Sequence, residues 1–105
     1  GIHLTARDLA AARERPRVRW VGASCHAGAE LASADAIGCD FAVLGPVRPT
    51  ASHPGAPGIG FDGLAREIAA TPLPVYALGG LDAADLGAAE AAGAHGVASM
   101  RAAWR

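Results

Sequence analysis

Hydroxyl-bearing residues and glycines recur in this chain at the ends of short apolar runs, a pattern suited to holding an anion. Three stretches show it: Ala42-Val-Leu-Gly-Pro-Val-Arg-Pro-Thr-Ala-Ser-His-Pro-Gly55, Leu78-Gly79-Gly80 and Gly96-Val-Ala-Ser99. Each run ends in Gly, Ser or Thr and then gives way to a helix-like segment. Three such strand ends at one side of a sheet would form a ring of backbone N–H groups and hydroxyls around a phosphate-sized ligand. Glycine lets the backbone come close, because no Cβ intervenes.

The elements that must position these residues follow from the apolar pattern. A strand is expected at Gly1-Ile-His-Leu4, followed by a helix start at Thr5-Ala-Arg-Asp8, a capping-box-like tetrad ahead of Leu9-Ala-Ala-Ala-Arg13. Arg17-Val-Arg-Trp-Val21 alternates as a second strand and closes in Gly22-Ala-Ser-Cys-His26. Residues 30–37 read as a helix stopped by Gly38, and Asp40-Phe-Ala-Val-Leu44 as a third strand. A Pro/Gly-rich loop then runs from Gly45 to about Gly60. Helix is expected over 61–70, a fourth strand at Pro74-Val-Tyr-Ala-Leu78, a helix over 83–92 capped by Asp82 and ended by Gly93, and a last strand at Gly96-Val-Ala-Ser99. Strand and helix alternate throughout, so the strands should be parallel and joined by right-handed crossovers. An open doubly wound sheet and part of a (β/α)₈ barrel both satisfy this pattern.

Composition narrows the function classes. The chain has 105 residues, 51% of them hydrophobic and only 18% charged, which fits a buried α/β interior and argues against disorder. Its formal net charge of −1 provides no basic field for nucleic acid or an anionic membrane. No apolar run approaches a membrane span, and residue 1 does not open a signal peptide. Cys25 and Cys39 fall at opposite ends of neighbouring strands, too far apart for a disulfide, so free thiols and a cytoplasmic setting are expected.

Taken in order, Gly1-Ile-His-Leu-Thr-x-x-Asp8, Gly22-Ala-Ser-Cys-His26, Asp40-Phe-Ala-Val-Leu-Gly-Pro-Val-x-Pro-Thr50, Pro74-Val-Tyr-Ala-Leu-Gly-Gly80 and Gly93-Ala-x-Gly-Val-Ala-Ser99 resemble the C-terminal half of the thiamine-phosphate synthase / thiazole tautomerase superfamily. The resemblance covers essentially the whole chain. It implies an α/β fold in which residues 1–105 form one partial domain, about strands 4–8 of a TIM (β/α)₈ barrel. It also implies a reaction that joins a hydroxymethylpyrimidine pyrophosphate to a thiazole phosphate and releases pyrophosphate, with Mg²⁺ and hydrogen-bond donors absorbing the charge of the leaving group.

By the same resemblance Asp8 matches a metal-binding aspartate, and Ser24 a serine beside the pyrophosphate. Thr50, Ser52 and His53 lie on the loop where the two substrates meet, and Gly79, Gly80 and Ser99 match the product-phosphate site. Asp8 also has a plain structural role open to it, at the third position of a helix capped by Thr5. His3 reads as a core histidine on its strand, His26 as a residue able to touch ligand, and His95 as structural.

His53 stands where the synthase pattern normally has a lysine, and a neutral imidazole would stabilise pyrophosphate less well. Pro46 after Gly45 follows the synthase pattern, whereas tautomerases tend to carry histidine there. Two other readings stay open beside these: a non-catalytic phosphate-binding module of a larger enzyme such as a nucleotide hydrolase, and a different phosphate-binding barrel of the epimerase or indole-glycerol type. Five strands cannot close an eight-stranded barrel, so an upstream half-barrel or self-association is the expected partner.

Overall fold

Short runs of Val, Ala, Leu and Cys with no charge inside them have one stable solution, a parallel sheet sealed by helices. A computed structural model describes residues 1–48, 58–79, 81 and 83–98. Its strands are β1 (Ile2–Leu4), β2 (Val21–Cys25), β3 (Phe41–Leu44), β4 (Val75–Ala77) and β5 (Gly96–Val97). Between them come α1 (Ala6–Ala11), α2 (Gly28–Ile37), α3 (Gly60–Ala69) and α4 (Leu86–Ala91), the last entered through a 3₁₀ turn at Ala83–Asp85. Asp82, the expected cap of that helix, lies outside the described residues.

All four strand pairings are parallel, and the order is β1-β2-β3-β4-β5. That order decides between the two architectures that periodicity leaves open, in favour of the barrel implied by the family resemblance. A doubly wound sheet reverses its winding at an internal switch point, so its strands are not in sequential order. Sequential order with right-handed crossovers puts every helix on one side, as in a β/α barrel.

The core lies between the sheet and that single helical layer. Val21, Ala23, Ala42, Leu44, Val75 and Ala77 point into it, and Leu9, Leu31, Ala34, Leu64 and Ala89 come down on them from the helices. Alternation along each strand sends the intervening residues to the other side of the sheet. By register these are His3, Gly22 and Phe41 in one row, then Ser24, Val43, Tyr76 and Gly96 in the next. Bulky side chains cover small ones there, and a Cβ on Gly22 would run into the ring of Phe41.

Helix ends follow their local chemistry. Thr5 caps α1, its Oγ1 accepting from the N–H of Asp8 at 3.1 Å. Gly38 closes α2 in the left-handed region, with φ of 93°.

One strand differs from expectation. β2 starts at Val21, so residues 17–20 precede it and the small-residue run Gly22-Ala-Ser-Cys25 is the strand itself. Arg15 explains the shift. Its Nη1 donates to the carbonyls of Pro16 (3.1 Å) and Val18 (2.7 Å), and its Nη2 to that of Arg19 (3.1 Å). Acceptors that a strand over 17–19 would offer to a neighbour are thereby engaged locally. Nη2 also reaches Asp40 Oδ2 at 2.9 Å, and the same oxygen accepts from the N–H of Val21 at 2.7 Å, which sets where β2 and β3 begin to pair.

Candidate functional site

Parallel strands present their C-terminal ends together, and Ser24, Gly45 and Gly79 lie there. Gly45 N–H donates to the Cys25 carbonyl at 3.2 Å, joining the end of β2 to the exit of β3. Val47 N–H donates to Leu78 O at 2.9 Å and Arg48 N–H to Gly79 O at 3.1 Å, joining that exit to the turn after β4. Ser24, Gly45 and Gly79 therefore share one end of the sheet, as expected.

Residues 46–48 are held on their other side too. The Pro46 carbonyl accepts from Ile59 N–H at 2.9 Å, and the Val47 carbonyl from Gly60 N–H at 2.8 Å. The loop that carries the expected substrate-junction residues thus leaves and returns at the same place. Thr50, Ser52 and His53 lie outside the described residues, as do Gly80 and Ser99.

Gly79 has a structural reason to be glycine. Its φ is 100°, and a Cβ there would lie 2.5 Å from the Cα of Pro46. Close packing of two loops thus accounts for this glycine whether or not a ligand is bound.

Ser24 sits on the helix-free face of β2, where its Oγ lies 2.6 Å from Nε2 of His3. Burial lowers the His3 pKa and favours the neutral ring, so one proton is shared between the hydroxyl and the imidazole. His3 faces the interior side of the barrel sheet with a partner for its ring, as expected, but it is not buried in a core. It is exposed on the helix-free face, where its ring centroid lies 6.1 Å from that of Phe41. Phe41 meets Tyr76 edge-on at 5.9 Å, and Tyr76 lies 6.1 Å from His95, which extends a row of rings across the sheet.

His26 is engaged with α2: its Nδ1 is 3.2 Å from Glu30 Oε1, and its backbone N–H donates to the same oxygen. His95 precedes β5, its N–H donating to the Val75 carbonyl at 2.8 Å, in keeping with a structural role.

Asp8 is exposed in the first turn of α1, so its favourable position near the helix N-terminus is present in the fold. Among the described residues no group of three His, Cys, Asp or Glu side chains could hold a metal ion. Cys25 and Cys39 are buried free thiols, and burial first of all pushes the Cys25 pKa up to about 12, far from nucleophilic use at neutral pH.

Two features of the site escape sequence reasoning. One is the His3–Ser24 contact, which becomes legible only when β2 is started at Val21. The other is Arg48, whose Nη1 lies 2.8 Å from Asp85 Oδ1; the isolated basic residue in Pro-Val-Arg-Pro gives no sign of its partner.

Sequential β/α units around parallel strands in the order β1 to β5 define part of a β/α barrel. Comparison with known proteins narrows this further. The family model described as "Thiamine monophosphate synthase" matches residues 1–103, and the chain belongs to that family. It is 42% identical over 107 residues to a putative thiamine-phosphate synthase of Geobacter sulfurreducens, covering 97% of this chain and 50% of that protein. It is 40% identical over 106 residues to a thiamine-phosphate synthase of Methanoculleus marisnigri, with the same coverage of 97% and 50%. A solved structure, the thiamine phosphate pyrophosphorylase from Pyrococcus furiosus, superposes with a TM-score of 0.77 at 29% identity, over 94% of this chain and 48% of that one. The chain thus spans about half the length of these relatives.

Proposed function

We propose that this chain is the C-terminal half of a thiamine-phosphate synthase barrel, about strands 4–8. In this role it supplies the anion-facing loops for the transfer of a pyrimidine from its pyrophosphate to a thiazole phosphate. In that reaction the carbon–oxygen bond to pyrophosphate breaks, a carbon–nitrogen bond to the thiazole forms, and pyrophosphate leaves with its electron pair. The observation that carries the reading is the placement of the His3-held hydroxyl of Ser24 and the Gly79 turn at the same end of the sheet.

With His3 neutral and protonated at Nε2, the ring donates to Ser24 Oγ and holds it, which leaves the single hydroxyl proton free to be donated to the leaving pyrophosphate. Thr50, Ser52 and His53 serve the junction of the two substrates. Gly79, Gly80 and Ser99 hold the phosphate of the thiazole and of the product.

Mg²⁺ is bound with few protein ligands when phosphate oxygens complete its shell, so one carboxylate from Asp8 is compatible with it. When bound, the ion neutralises charge on the leaving pyrophosphate.

The remaining strands have to come from further β/α units, upstream or in a second copy. Ile2, 41% exposed on the edge strand β1, is apolar surface that those units would cover.

Calorimetric titration of the chain with thiamine phosphate tests the site. Binding should weaken at least tenfold in Gly80→Val, since a β-branched side chain obstructs the backbone approach to phosphate. Unaltered affinity in that variant would exclude the phosphate site. The Gly80 position is the informative one, because substitution at Gly79 would disturb Pro46 directly.

A further inference from the structure

Arg48 holds both ends of the turn that follows β4. At the start of the turn its backbone N–H donates to the Gly79 carbonyl at 3.1 Å. At the end its guanidinium Nη1 lies 2.8 Å from Asp85 Oδ1, on the 3₁₀ turn that leads into α4. The carboxylate side chain is 11% exposed and the guanidinium half-exposed, so this is more than a loose surface ion pair. The guanidinium carbon also lies 5.4 Å from the ring centroid of Phe61 on α3, which fixes the direction in which the arginine extends.

The neighbours of Arg48 give it a firm base. Val47 is 1% exposed in the core, and residues 46–47 are bonded to Leu78 on one side and to Ile59 and Gly60 on the other. Arg48 thus joins three connections: the exit of β3, the entry to α3 and the turn between β4 and α4.

We propose that Arg48 is a positioning residue for the phosphate turn. Its backbone is bonded to Gly79 and its side chain is paired with Asp85, so the two described ends of the β4–α4 connection are held before an anion arrives. The inference rests on the phosphate reading of Gly79 and Gly80 above. It assigns the positive charge of Arg48 to a carboxylate of the fold, so the arginine contributes by shaping the turn, with no direct contact to the ligand.

The test is amide hydrogen exchange followed by mass spectrometry on the 105-residue chain, with and without inorganic phosphate. The variants are Arg48→Met, Arg48→Lys, Asp85→Asn and the Met/Asn double. In Arg48→Met and Asp85→Asn, exchange in segments 46–48 and 78–86 should speed up about tenfold, while β1 and β2 stay as in wild type. The double variant should fall short of the sum of the two singles, because both remove the Arg48–Asp85 pair, while Arg48→Met also removes the contact with Phe61. Arg48→Lys should recover part of the protection, since it keeps the charge and loses the planar fork.

Phosphate should slow exchange in both segments of the wild type, and about tenfold more phosphate should be needed in Arg48→Met. Unchanged exchange in the variants, or a loss spread equally over β1 and β2, would overturn the positioning role even if phosphate binds. If phosphate leaves the wild-type 78–86 segment unaffected, both the phosphate reading and the inference built on it fail, whatever the variants do.

Discussion

The two faces of the sheet obey different rules. On the helical side Val21, Ala23, Ala42, Leu44, Val75 and Ala77 are all fully buried at 0% exposure, and every one is a plain aliphatic. On the opposite side the corresponding rows hold His3, Ser24, Phe41 and Tyr76, which are partly exposed and mix rings with polar groups. The first face exists to be buried, and hydrophobic transfer suffices to explain it. The second face carries aromatic bulk that open solvent would not favour and hydroxyl and imidazole groups that a dry core would not tolerate unpaired. The interior of a β/α barrel reconciles the two.

The contrast predicts a large stability effect on one face and a small one on the other. Leu44→Ala should cost about 2–5 kcal/mol through lost burial and a residual cavity, measured by urea unfolding. Phe41→Leu on the free face should cost roughly 1 kcal/mol or less. Equal costs would mean that the faces do not differ as described.

Arg15→Met comes next, at about 1–3 kcal/mol, because several carbonyls and the Asp40 carboxylate lose a charged donor together. The loss should appear as faster exchange at the start of β2 before it appears elsewhere.

Ser24→Ala should reverse the pattern of Leu44→Ala. Stability should stay within about 0.5 kcal/mol, whereas affinity for inorganic pyrophosphate, read by calorimetry, should fall about tenfold. A Ser24→Ala chain that unfolds as readily as Leu44→Ala would place Ser24 among the structural residues.

The smallest effects concern pH. Asp40 is held below the usual carboxylate range first by the Val21 N–H, with burial opposing and Arg15 assisting. Its folded pKa lies below its unfolded one, so the unfolded chain binds the proton first. The stability it contributes is complete above the ordinary aspartate value of about 3.9 and fades as pH falls through the depressed one. Asp40→Asn should flatten that acid limb of the unfolding profile. His3 has the same sign at higher pH. Burial lowers its pKa, so its contribution is complete above the ordinary histidine value of about 6.5 and declines on acidification. A His3→Gln chain with an unaltered profile between neutrality and mild acid would show that the ring is not desolvated by the fold.

Most of the helical face was legible in the sequence because aliphatic runs, Thr5 and Gly38 have few alternatives open to them. The parallel arrangement followed from the alternation of strand and helix. Winding did not, since periodicity is the same in a barrel and in a doubly wound sheet; it was the ordered motifs that pointed to the barrel, and the sequential strand order agrees with them. The start of β2 was misread because residues 17–21 alternate well, and the fate of their carbonyls depends on Arg15 folding back over them. That shift also hid the register that sets His3 opposite Gly22 and brings Ser24 within reach of its ring. Arg48 was illegible for a related reason: its partner Asp85 is distant in sequence and becomes a neighbour only when β3 and β4 pair.

The most direct test of the central claim is to complete the barrel. The part of the Methanoculleus marisnigri relative that this chain does not match can be joined to it, and thiamine phosphate formation assayed from the pyrimidine pyrophosphate and the thiazole phosphate with Mg²⁺. The expected result is a folded chimaera that forms thiamine phosphate and loses most of its turnover in Ser24→Ala. A folded chimaera that binds both substrates and forms no product would contradict it.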